Sequence, residues 1–255
     1  DKPLVPVGDP RLRLKGLKVR GDRGTMAVNG VDLDVCAGEI VGIAGVSGNG
    51  QRELAEAVAG LRELAAGTVV LDGVDVTGAS PRENRDGGLS YVPEERMRDG
   101  AVAEFTVAEN LMLVHHDSPE FSSRGLLRMG ALRDHAKDLV ERFAVKTPSL
   151  DTPTRSLSGG NIQKLVMARE LSSEPAVLLA AQPTRGVDIG AAEYIHERLV
   201  DQRDHGTAIL VISEDLDEVL GLADRVAVMF EGRIVDIVSR DDCTVEGLGL
   251  LMAGG

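Results

Sequence analysis

The sequence predicts an α/β fold with a parallel-sheet core, an N-terminal antiparallel β subdomain and a helical insertion. Over residues 11–37, apolar and polar residues alternate in short stretches, which is typical of a half-buried antiparallel sheet. Between residues 161 and 230, strand and helix patterns alternate, which favours a parallel sheet whose strands are joined by helices. The residues between these regions, about 101–157, have a mostly helical pattern.

The N-terminal part contains several short predicted elements. Its alternating apolar positions are Leu12, Leu14, Leu17 and Val19, followed by Val31, Leu33 and Val35. Residues 39–44 form a short apolar run that predicts a buried strand, and a glycine-rich turn connects it to a predicted helix over 51–59. The runs 68–71 and 74–76 flank Asp72-Gly73, which predicts a β-hairpin.

The second half continues with predicted helices over 106–114 and 130–143, and Pro148 and Pro153 mark the end of the insertion. The alternating elements that follow are helix 161–172, strand 176–181, helix 190–203, strand 207–213, helix 215–222 and strand 225–230. After residue 231 no strong pattern is present until residues 248–252.

Composition excludes several classes of function. The 255 residues include 28 basic and 41 acidic side chains, and the net charge of -13 argues against a nucleic-acid partner, which clustered Lys and Arg would bind. Aromatic residues make up only 2% of the chain, which disfavours a base-stacking platform. No apolar run approaches the roughly 20 residues of a membrane helix. The two cysteines form neither a disulfide framework nor a metal-ligand set, and we predict no metal site built from protein side chains.

Residues 45–52, GVSGNGQR, have the spacing of a phosphate-binding loop, G-x-x-x-x-G-K-[ST]. The glycines would let backbone N–H groups converge on an anion at a helix N-terminus, although the segment alone also fits an ordinary tight turn. Gln51 takes the place of the lysine that reaches the β- and γ-phosphates, and Arg52 takes the place of the hydroxyl that coordinates Mg²⁺. The candidate nucleotide-binding residues are Gly45, Val46, Ser47, Gly48, Asn49, Gly50, Gln51 and Arg52.

Two further segments extend this pattern. Residues 157–163, LSGGNIQ, precede a helix, and residues 180–188, AAQPTRGVD, end a buried strand and continue beyond it. Together with the glycine loop they closely resemble the signature sequence and the Walker B and D-loop region of ATP-binding cassette (ABC) ATPases. By this resemblance the signature residues are Leu157, Ser158, Gly159, Gly160, Asn161 and Gln163. Asp188 resembles the D-loop aspartate, and it is equally placed to cap the helix that begins near Gly190.

The resemblance covers residues 11–254 and is most similar to the second ATPase domain of bacterial importers for nucleosides and simple sugars. In those importers, two cassettes are fused in one polypeptide. Residues 45–51, 93–96 (PEER) and 180–186 carry this finer likeness. The resemblance implies a nucleotide-binding domain over 11–255 with a RecA-like core and a helical signature subdomain at about 101–163. Residues 1–10, which contain three prolines, are then a linker from a preceding domain.

The same resemblance indicates which catalytic groups are replaced. Ala181 occupies the place of the aspartate that orders Mg²⁺, and Gln182 that of the glutamate that polarises the attacking water. Glu214 occupies the place of the switch histidine, and Glu94 that of the Q-loop glutamine. The first aromatic residue is Tyr91, so no ring upstream of the loop is available to stack on adenine. We therefore expect no intact catalytic set, with weak or absent ATP binding and poor hydrolysis in this domain's own site.

In ABC dimers, the signature of one cassette closes over the phosphate loop of the other. The resemblance thus implies that Ser158, Gly159 and Gly160 complete a Mg-ATP site on a partner cassette, the N-terminal nucleotide-binding domain of the same polypeptide. It also implies transmembrane permease subunits as partners and a peripheral location at the cytoplasmic face of the inner membrane. The charged run 95–99 is either a permease-docking segment or an ordinary solvated face. The transported solute is not encoded in these motifs.

Three alternative functions compete with this interpretation. An active ABC ATPase, in which Arg52 and Gln182 compensate for the missing groups, would hydrolyse Mg-ATP slowly by itself. A soluble ABC protein that acts on nucleic acid would usually carry a basic surface, which the net charge of -13 opposes. An unrelated phosphate-loop kinase would lack the signature sequence.

Overall fold

Twelve strands and eight α-helices occur among residues 6–254, the part of the chain that the computed structural model describes. The strands are β1 (Pro10–Arg20), β2 (Met26–Cys36), β3 (Ile40–Ala44), β4 (Leu64–Leu71), β5 (Val74–Asp75), β6 (Leu89–Val92), β7 (Ser122–Ser123), β8 (Leu126–Leu127), β9 (Val177–Ala181), β10 (Ala208–Ser213), β11 (Arg225–Phe230) and β12 (Arg233–Ser239). The helices are α1 (Gln51–Val58), α2 (Pro81–Asp86), α3 (Val107–Met112), α4 (Met129–Arg142), α5 (Gly159–Leu171), α6 (Ile189–Asp204), α7 (Leu216–Leu222) and α8 (Val245–Met252).

The chain divides into two compact units. As far as the structure describes them, the first contains Asp1–Tyr91, Pro175–Gln182 and His196–Gly255. The second contains Val92–Glu174 and Pro183–Ile195. The parallel core, the antiparallel β subdomain and the α/β class agree with the sequence prediction.

A four-stranded antiparallel sheet in the order β2-β1-β4-β5 forms the β subdomain of the first unit. The apolar positions of β1 are fully buried, and their spacing changes from two to three residues between Leu14 and Leu17. The change occurs at Gly16, whose φ of 59° lies in the left-handed region, where the pairing with β2 shifts register. This bulge keeps both halves of the strand facing the same core.

The core of the first unit is a six-stranded sheet in the order β12-β11-β3-β10-β9-β6. Strand β10 lies parallel to both β3 and β9, and every residue of these three strands is buried. Short, continuously apolar strands are expected where both faces of a parallel sheet are covered. The predicted strands at 39–44, 176–181, 207–213 and 225–230 are confirmed to within one residue at each end.

The segment after residue 231 contains a strand, although no strong sequence pattern predicts one between residue 231 and residues 248–252. Residues Arg233–Ser239 form β12, an edge strand that pairs antiparallel with β11. Only Ile234 and Val238 of this strand are partly buried, so its alternation is weak. The predicted linker also begins to pair before residue 10, because Gly8 N donates to the carbonyl oxygen of Ala37 at 2.9 Å. The linker assignment stays a prediction, and residues 1–5 of it lie outside the described residues.

A buried arginine connects the end of α6 to the core sheet in the first unit. The Arg203 side chain is 2% exposed and donates from Nη2 to Asp204 Oδ1 at 2.6 Å and from Nη1 to Asp224 Oδ1 at 3.2 Å. The second oxygen of Asp224 accepts from Ile40 N, the first residue of β3, at 2.8 Å. A buried cation with two carboxylates and a strand terminus thus forms one hydrogen-bonded network.

The second unit contains α3, α4 and α5, with the small hairpin β7–β8 inserted between α3 and α4. Thr106 and Glu109 form a reciprocal capping box at the start of α3. Asn110 is 1% exposed and acts as a hub, because its amide group donates to Val102 O at 2.9 Å and to Thr154 Oγ1 at 2.8 Å. The predicted helices of the insertion are present, whereas no sequence pattern predicts the hairpin β7–β8.

A ring cluster in the second unit contains His135, His115 and Phe121. The His135 ring centroid lies 5.0 Å from each of the other two rings. Burial lowers the pKa of His135 below its ordinary value of 6.5, with a smaller opposing effect from Glu120 and Asp138. His135 Nε2 is buried and has no hydrogen-bond partner among the described residues. The cluster therefore favours the neutral imidazole.

The cluster predicts a pH-dependent stability. The folded state lowers the pKa of His135, so the unfolded chain binds the proton more tightly, and the free energy of unfolding should fall as pH drops below about 6.5. Urea denaturation between pH 5 and pH 7.5 measures this slope. His135→Leu should flatten it, whereas substitution of the exposed His205 by glutamine should leave it unchanged. If the free energy of unfolding of His135→Leu depends on pH as that of the wild type does, His135 is not the group responsible.

No helix among residues 6–254 is both long enough and apolar enough to span a membrane.

Candidate functional site

The predicted phosphate-binding loop, residues 45–50, follows β3 and ends where α1 begins. Gly48 and Gly50 have φ angles of 88° and 101°, in the left-handed region that favours glycine. A Cβ atom on Gly50 would lie 2.2 Å from the carbonyl oxygen of Ala27, so a side chain has no room there. The loop therefore has the backbone that the glycine spacing predicts, and such a backbone suits an anion at the helix N-terminus.

Asn49 fixes the loop to the turn after β11. Its Oδ1 atom accepts from Glu231 N at 2.9 Å, and its carbonyl oxygen accepts from Gly232 N at 3.0 Å. Its own N–H donates to Val46 O at 3.3 Å within the loop. Two chain segments far apart in sequence thus hold the loop in one conformation. Val46 and Ser47, which precede this tether, are both exposed.

Gln51 and Arg52 direct their side chains to groups of the protein itself. Gln51 is 8% exposed, and its Nε2 donates to Val46 O at 3.1 Å. A Cβ atom on Gly45 would lie 2.5 Å from that nitrogen, so Gly45 provides the space for the amide. Arg52 Nε donates to Glu56 Oε1 at 2.7 Å, one helical turn further along α1. Neither position offers an ammonium or a hydroxyl group to the loop.

Three neighbouring strands, β3, β10 and β9, are parallel, so their carboxyl ends share one edge of the sheet. The glycine loop follows β3, Glu214 follows β10, and Ala181 ends β9. Gln182 comes next, with a φ of 50°, and its Oε1 accepts from Glu214 N at 3.3 Å. The structure thus brings together the predicted phosphate loop with Ala181, Gln182 and Glu214 in the first unit.

These groups define what this edge of the sheet can do chemically. The loop backbone offers N–H donors that suit a phosphate. Ala181 ends in a methyl group, which cannot bind a metal ion, and Gln182 cannot take up a proton as a general base. Glu214 is exposed at the same edge and carries a carboxylate. No cluster of three or more His, Cys, Asp or Glu side chains suited to a metal ion occurs among residues 6–254.

The predicted signature lies in the second unit, where Ser158 precedes the first turn of α5. Ser158 is exposed, and its Oγ accepts from Asn161 Nδ2 at 2.8 Å, which leaves the hydroxyl hydrogen available to a ligand. Asn161 Oδ1 in turn accepts from Lys146 N at 2.8 Å. Gln163 is 2% exposed and faces the interior, and Leu157 is partly buried. Ser158 is thus the exposed residue of the motif, whereas Gly159 is partly buried and Gly160 is buried.

Asp188 caps α6, because its Oδ1 accepts from Ala191 N at 2.9 Å. The start of α5 packs closely against this cap. A Cβ atom on Gly160 would lie 2.9 Å from Ala191 Cβ and 3.3 Å from Asp188 Oδ2. The predicted D-loop residue and the predicted signature are therefore adjacent in the second unit. Asp188 also caps α6, as its position in the sequence predicts.

Two arginines, Arg96 and Arg185, make contacts that no sequence motif predicts. Arg96 donates from Nη1 to Arg185 O at 2.5 Å and from Nη2 to Gly186 O at 3.0 Å. The Arg185 side chain forms a close ion pair with Glu94, the residue in the predicted Q-loop place. The segments around residues 94 and 185 are about ninety positions apart, so no local pattern in the sequence indicates this pairing.

Comparison with known proteins gives an independent view of the same residues. The sequence model of the family described as ABC transporter matches residues 28–185. The chain is 48% identical to a glucose import ATP-binding protein, TsgD13, of Haloferax volcanii over 100% of its own length and 47% of the relative. It is 46% identical to the nucleoside import ATP-binding protein NupA of Lactococcus lactis, covering 100% of this chain and 50% of that protein.

A third relative, the guanosine import ATP-binding protein NupO of Bacillus subtilis, is 43% identical over 100% of this chain and 50% of its own length. The chain thus spans about half the length of the curated relatives it matches. Among solved structures, a dimeric ATP-binding cassette in a post-hydrolysis state with ADP and Pi has a TM-score of 0.76 at 22% identity, covering 90% of this chain and 98% of that one. That likeness concerns the fold.

Proposed function

Because the chain belongs to the ABC transporter family, we propose that it is a nucleotide-binding cassette of an importer for nucleosides or simple sugars. The observation that carries this proposal is the 43–48% identity, over the whole chain, to proteins named for the import of glucose, nucleosides and guanosine. A ribose import ATP-binding protein of Oceanobacillus iheyensis is less similar, at 34% identity over 97% of this chain. Nucleosides and glucose are therefore the solutes to test first.

Members of this family bind ATP with Mg²⁺, and we propose that the cassette's own site is degenerate. Four features support the proposal. The Gln51 amide is turned back onto Val46 O, Arg52 is paired with Glu56, and Ala181 provides no oxygen ligand for Mg²⁺. The exposed carboxylate of Glu214 would repel a γ-phosphate. On this proposal the glycine loop holds a nucleotide weakly or not at all and does not hydrolyse it efficiently.

The productive site is then on a partner cassette, for which we propose the N-terminal nucleotide-binding domain of the same polypeptide. Exposed Ser158, with its hydroxyl hydrogen available, and the N–H groups of Gly159 and Gly160 would bind the γ-phosphate held by that partner. The sequence itself supports this division of roles, because Ser158-Gly159-Gly160 matches the family signature whereas Gln51 and Ala181 depart from the family's catalytic positions.

Importer ATPases work with transmembrane permease subunits, so we propose a peripheral position at the cytoplasmic face of the membrane. In the second unit, Val102 and Phe105 are 41% and 39% exposed and follow the charged run 95–99. An apolar pair bordered by charges suits a surface that contacts another protein. This segment is the proposed permease contact.

Calorimetric titration of the chain with ATP, in Mg²⁺ and in EDTA, tests the degenerate site. We expect either no binding at millimolar ATP or weak binding that Mg²⁺ does not tighten, because Ala181 and Arg52 supply no metal ligand. An affinity that rises tenfold or more with Mg²⁺ would contradict the proposal, and it would favour an active ATPase with atypical Walker residues.

Arg52→Ala provides the matched control for that titration. If the chain is instead an active ATPase, Arg52 supplies the positive charge of the missing phosphate-loop lysine. On that alternative, Arg52→Ala should weaken ATP binding strongly. Because Arg52 pairs with Glu56 on α1, we expect any measured affinity to change by less than about twofold. The same samples, assayed for phosphate release, give the intrinsic hydrolysis rate.

A further inference from the structure

The Arg96 guanidinium lies where three segments of the second unit meet. It donates to the carbonyl oxygens of Arg185 and Gly186, in the turn before α6. It also adjoins Gly159, since a Cβ atom at that position would lie 2.7 Å from Nη2. One planar cation therefore touches the segment at residue 96, the turn at 185–186 and the first residue of α5.

The contact is reciprocal. Arg96 binds the backbone at residues 185 and 186, and the Arg185 side chain returns to form an ion pair with Glu94. Arg185 Nη1 also lies 3.9 Å from Glu95 Oε1. The two segments are thus joined by hydrogen bonds in both directions. We call this arrangement of Glu94, Arg96, Arg185 and Gly186 the arginine latch.

The geometry of the latch requires these residue types. Two adjacent carbonyl oxygens match the fixed fork of a guanidinium, whereas a lysine ammonium has no such fork. Gly186 has a φ of 64°, in the left-handed region, which turns its carbonyl toward the arginine. Gly159 lacks the side chain that would displace Nη2. The contact therefore restricts the residue type at three positions: an arginine at 96 and glycines at 159 and 186.

We propose that Arg96 is a positioning residue: its guanidinium fixes Ser158 and Asp188 in one arrangement relative to each other, ready for a partner's ATP. The inference rests on the proposed function, in which this signature serves a partner cassette. Every contact in the latch is made by the chain's own atoms.

Hydrogen exchange on the chain alone tests the latch directly. In Arg96→Ala, the amides of residues 158–163 and 184–191 should exchange at least tenfold faster than in the wild type, because Arg185 and Gly186 lose their donor. Arg98→Ala is the matched control, since Arg98 lies two residues away and bonds to Asp99. Unchanged protection in Arg96→Ala, or equal loss in Arg98→Ala, would overturn the latch.

Steady-state kinetics of the complete transporter, with partner cassette and permease, test the positioning role. Displacing aligned groups by about 1 Å costs on the order of 100-fold in rate. We therefore expect Arg96→Ala to lower kcat about 10- to 100-fold while the KM for ATP changes by less than twofold. Arg96→Lys should recover part of the rate. A raised KM with unchanged kcat, or no effect, would contradict positioning.

Gly159→Ala tests whether the hydrogen-exchange and kinetic effects of Arg96→Ala have the same cause. Its methyl group would meet Nη2 of Arg96, so the single substitution should resemble Arg96→Ala, and the double variant should lose no more than either single variant. Additive losses would overturn the shared mechanism. If Ser158→Ala proves harmless in the transporter, the partner-completed site is wrong, whereas the hydrogen-exchange result still decides whether the latch exists.

Discussion

Ser158→Ala is expected to lower ATP turnover by the complete transporter about 100- to 1,000-fold, the range measured when one preorganised donor is removed from an active site. Ser158 is exposed, and its Oγ is oriented by Asn161 so that the hydroxyl hydrogen is free to donate. Alanine keeps the backbone at the start of α5 but removes that donor. The loss would occur although Ser158 lies in the cassette whose own site is proposed to be degenerate.

Phosphate release and uptake of labelled guanosine and glucose in reconstituted vesicles measure this effect together. Ser156→Ala is the control, because Ser156 is exposed, lies two residues earlier and belongs to the short turn before the signature. Turnover within twofold of the wild type in Ser158→Ala would exclude a role for this signature in hydrolysis. Loss of guanosine uptake with glucose uptake absent throughout would identify the solute class.

Arg203→Leu is expected to lower the free energy of unfolding by about 2–4 kcal/mol, somewhat below the usual 3–5 kcal/mol for a fully buried ion pair, because its carboxylate partners are 29% and 31% exposed. The substitution leaves the Asp204 and Asp224 carboxylates without their buried cation. Asp224 also accepts the first N–H of β3, so the loss reaches the core sheet. The midpoint of thermal unfolding should fall by about 4–16 °C, given 2–4 °C per kcal/mol for chains of this size.

Thermal and urea denaturation measure this effect, and Arg82→Ala is the matched control. Arg82 pairs with Asp86 at 3.9 Å on the surface of α2, where both side chains are about 70% exposed. Surface pairs of this kind contribute less than about 1 kcal/mol, so the control should unfold close to the wild type. A loss below 1 kcal/mol in Arg203→Leu would mean that the network is not needed for stability.

The core strands were predictable because each is a continuous apolar run that lies wholly inside the sheet. Strands β3, β9 and β10 illustrate this, since all their residues are buried. Strand β12 was missed because an edge strand with one neighbour leaves most of its side chains exposed. Burial, rather than strand propensity, determines which strands a sequence pattern reveals.

In the candidate site, the loop backbone was predictable from the sequence, whereas the side-chain contacts were not. Glycine spacing predicts the loop because Gly48 and Gly50 have positive φ angles, and a Cβ atom on Gly50 would lie 2.2 Å from a carbonyl oxygen. The side chain of Gln51 is oriented by its hydrogen bond to Val46 O, and that of Arg52 by its hydrogen bond to Glu56. A sequence motif does not specify such side-chain rotamers. Arg96 and Gly186 are 90 positions apart, so only the folded chain brings them together.

The order of strands in the core sheet has a consequence for biosynthesis. Both neighbours of β3, β10 and β11, are made more than 160 residues after β3 itself. Until the ribosome has released those residues, the apolar run of β3 has no strand to pair with, whereas β1 and β2 can form their hairpin at once. Distant pairing of this kind slows folding and prolongs the exposure of an unpaired edge to aggregation. We therefore expect chaperones to bind the nascent chain until β10 and β11 have emerged.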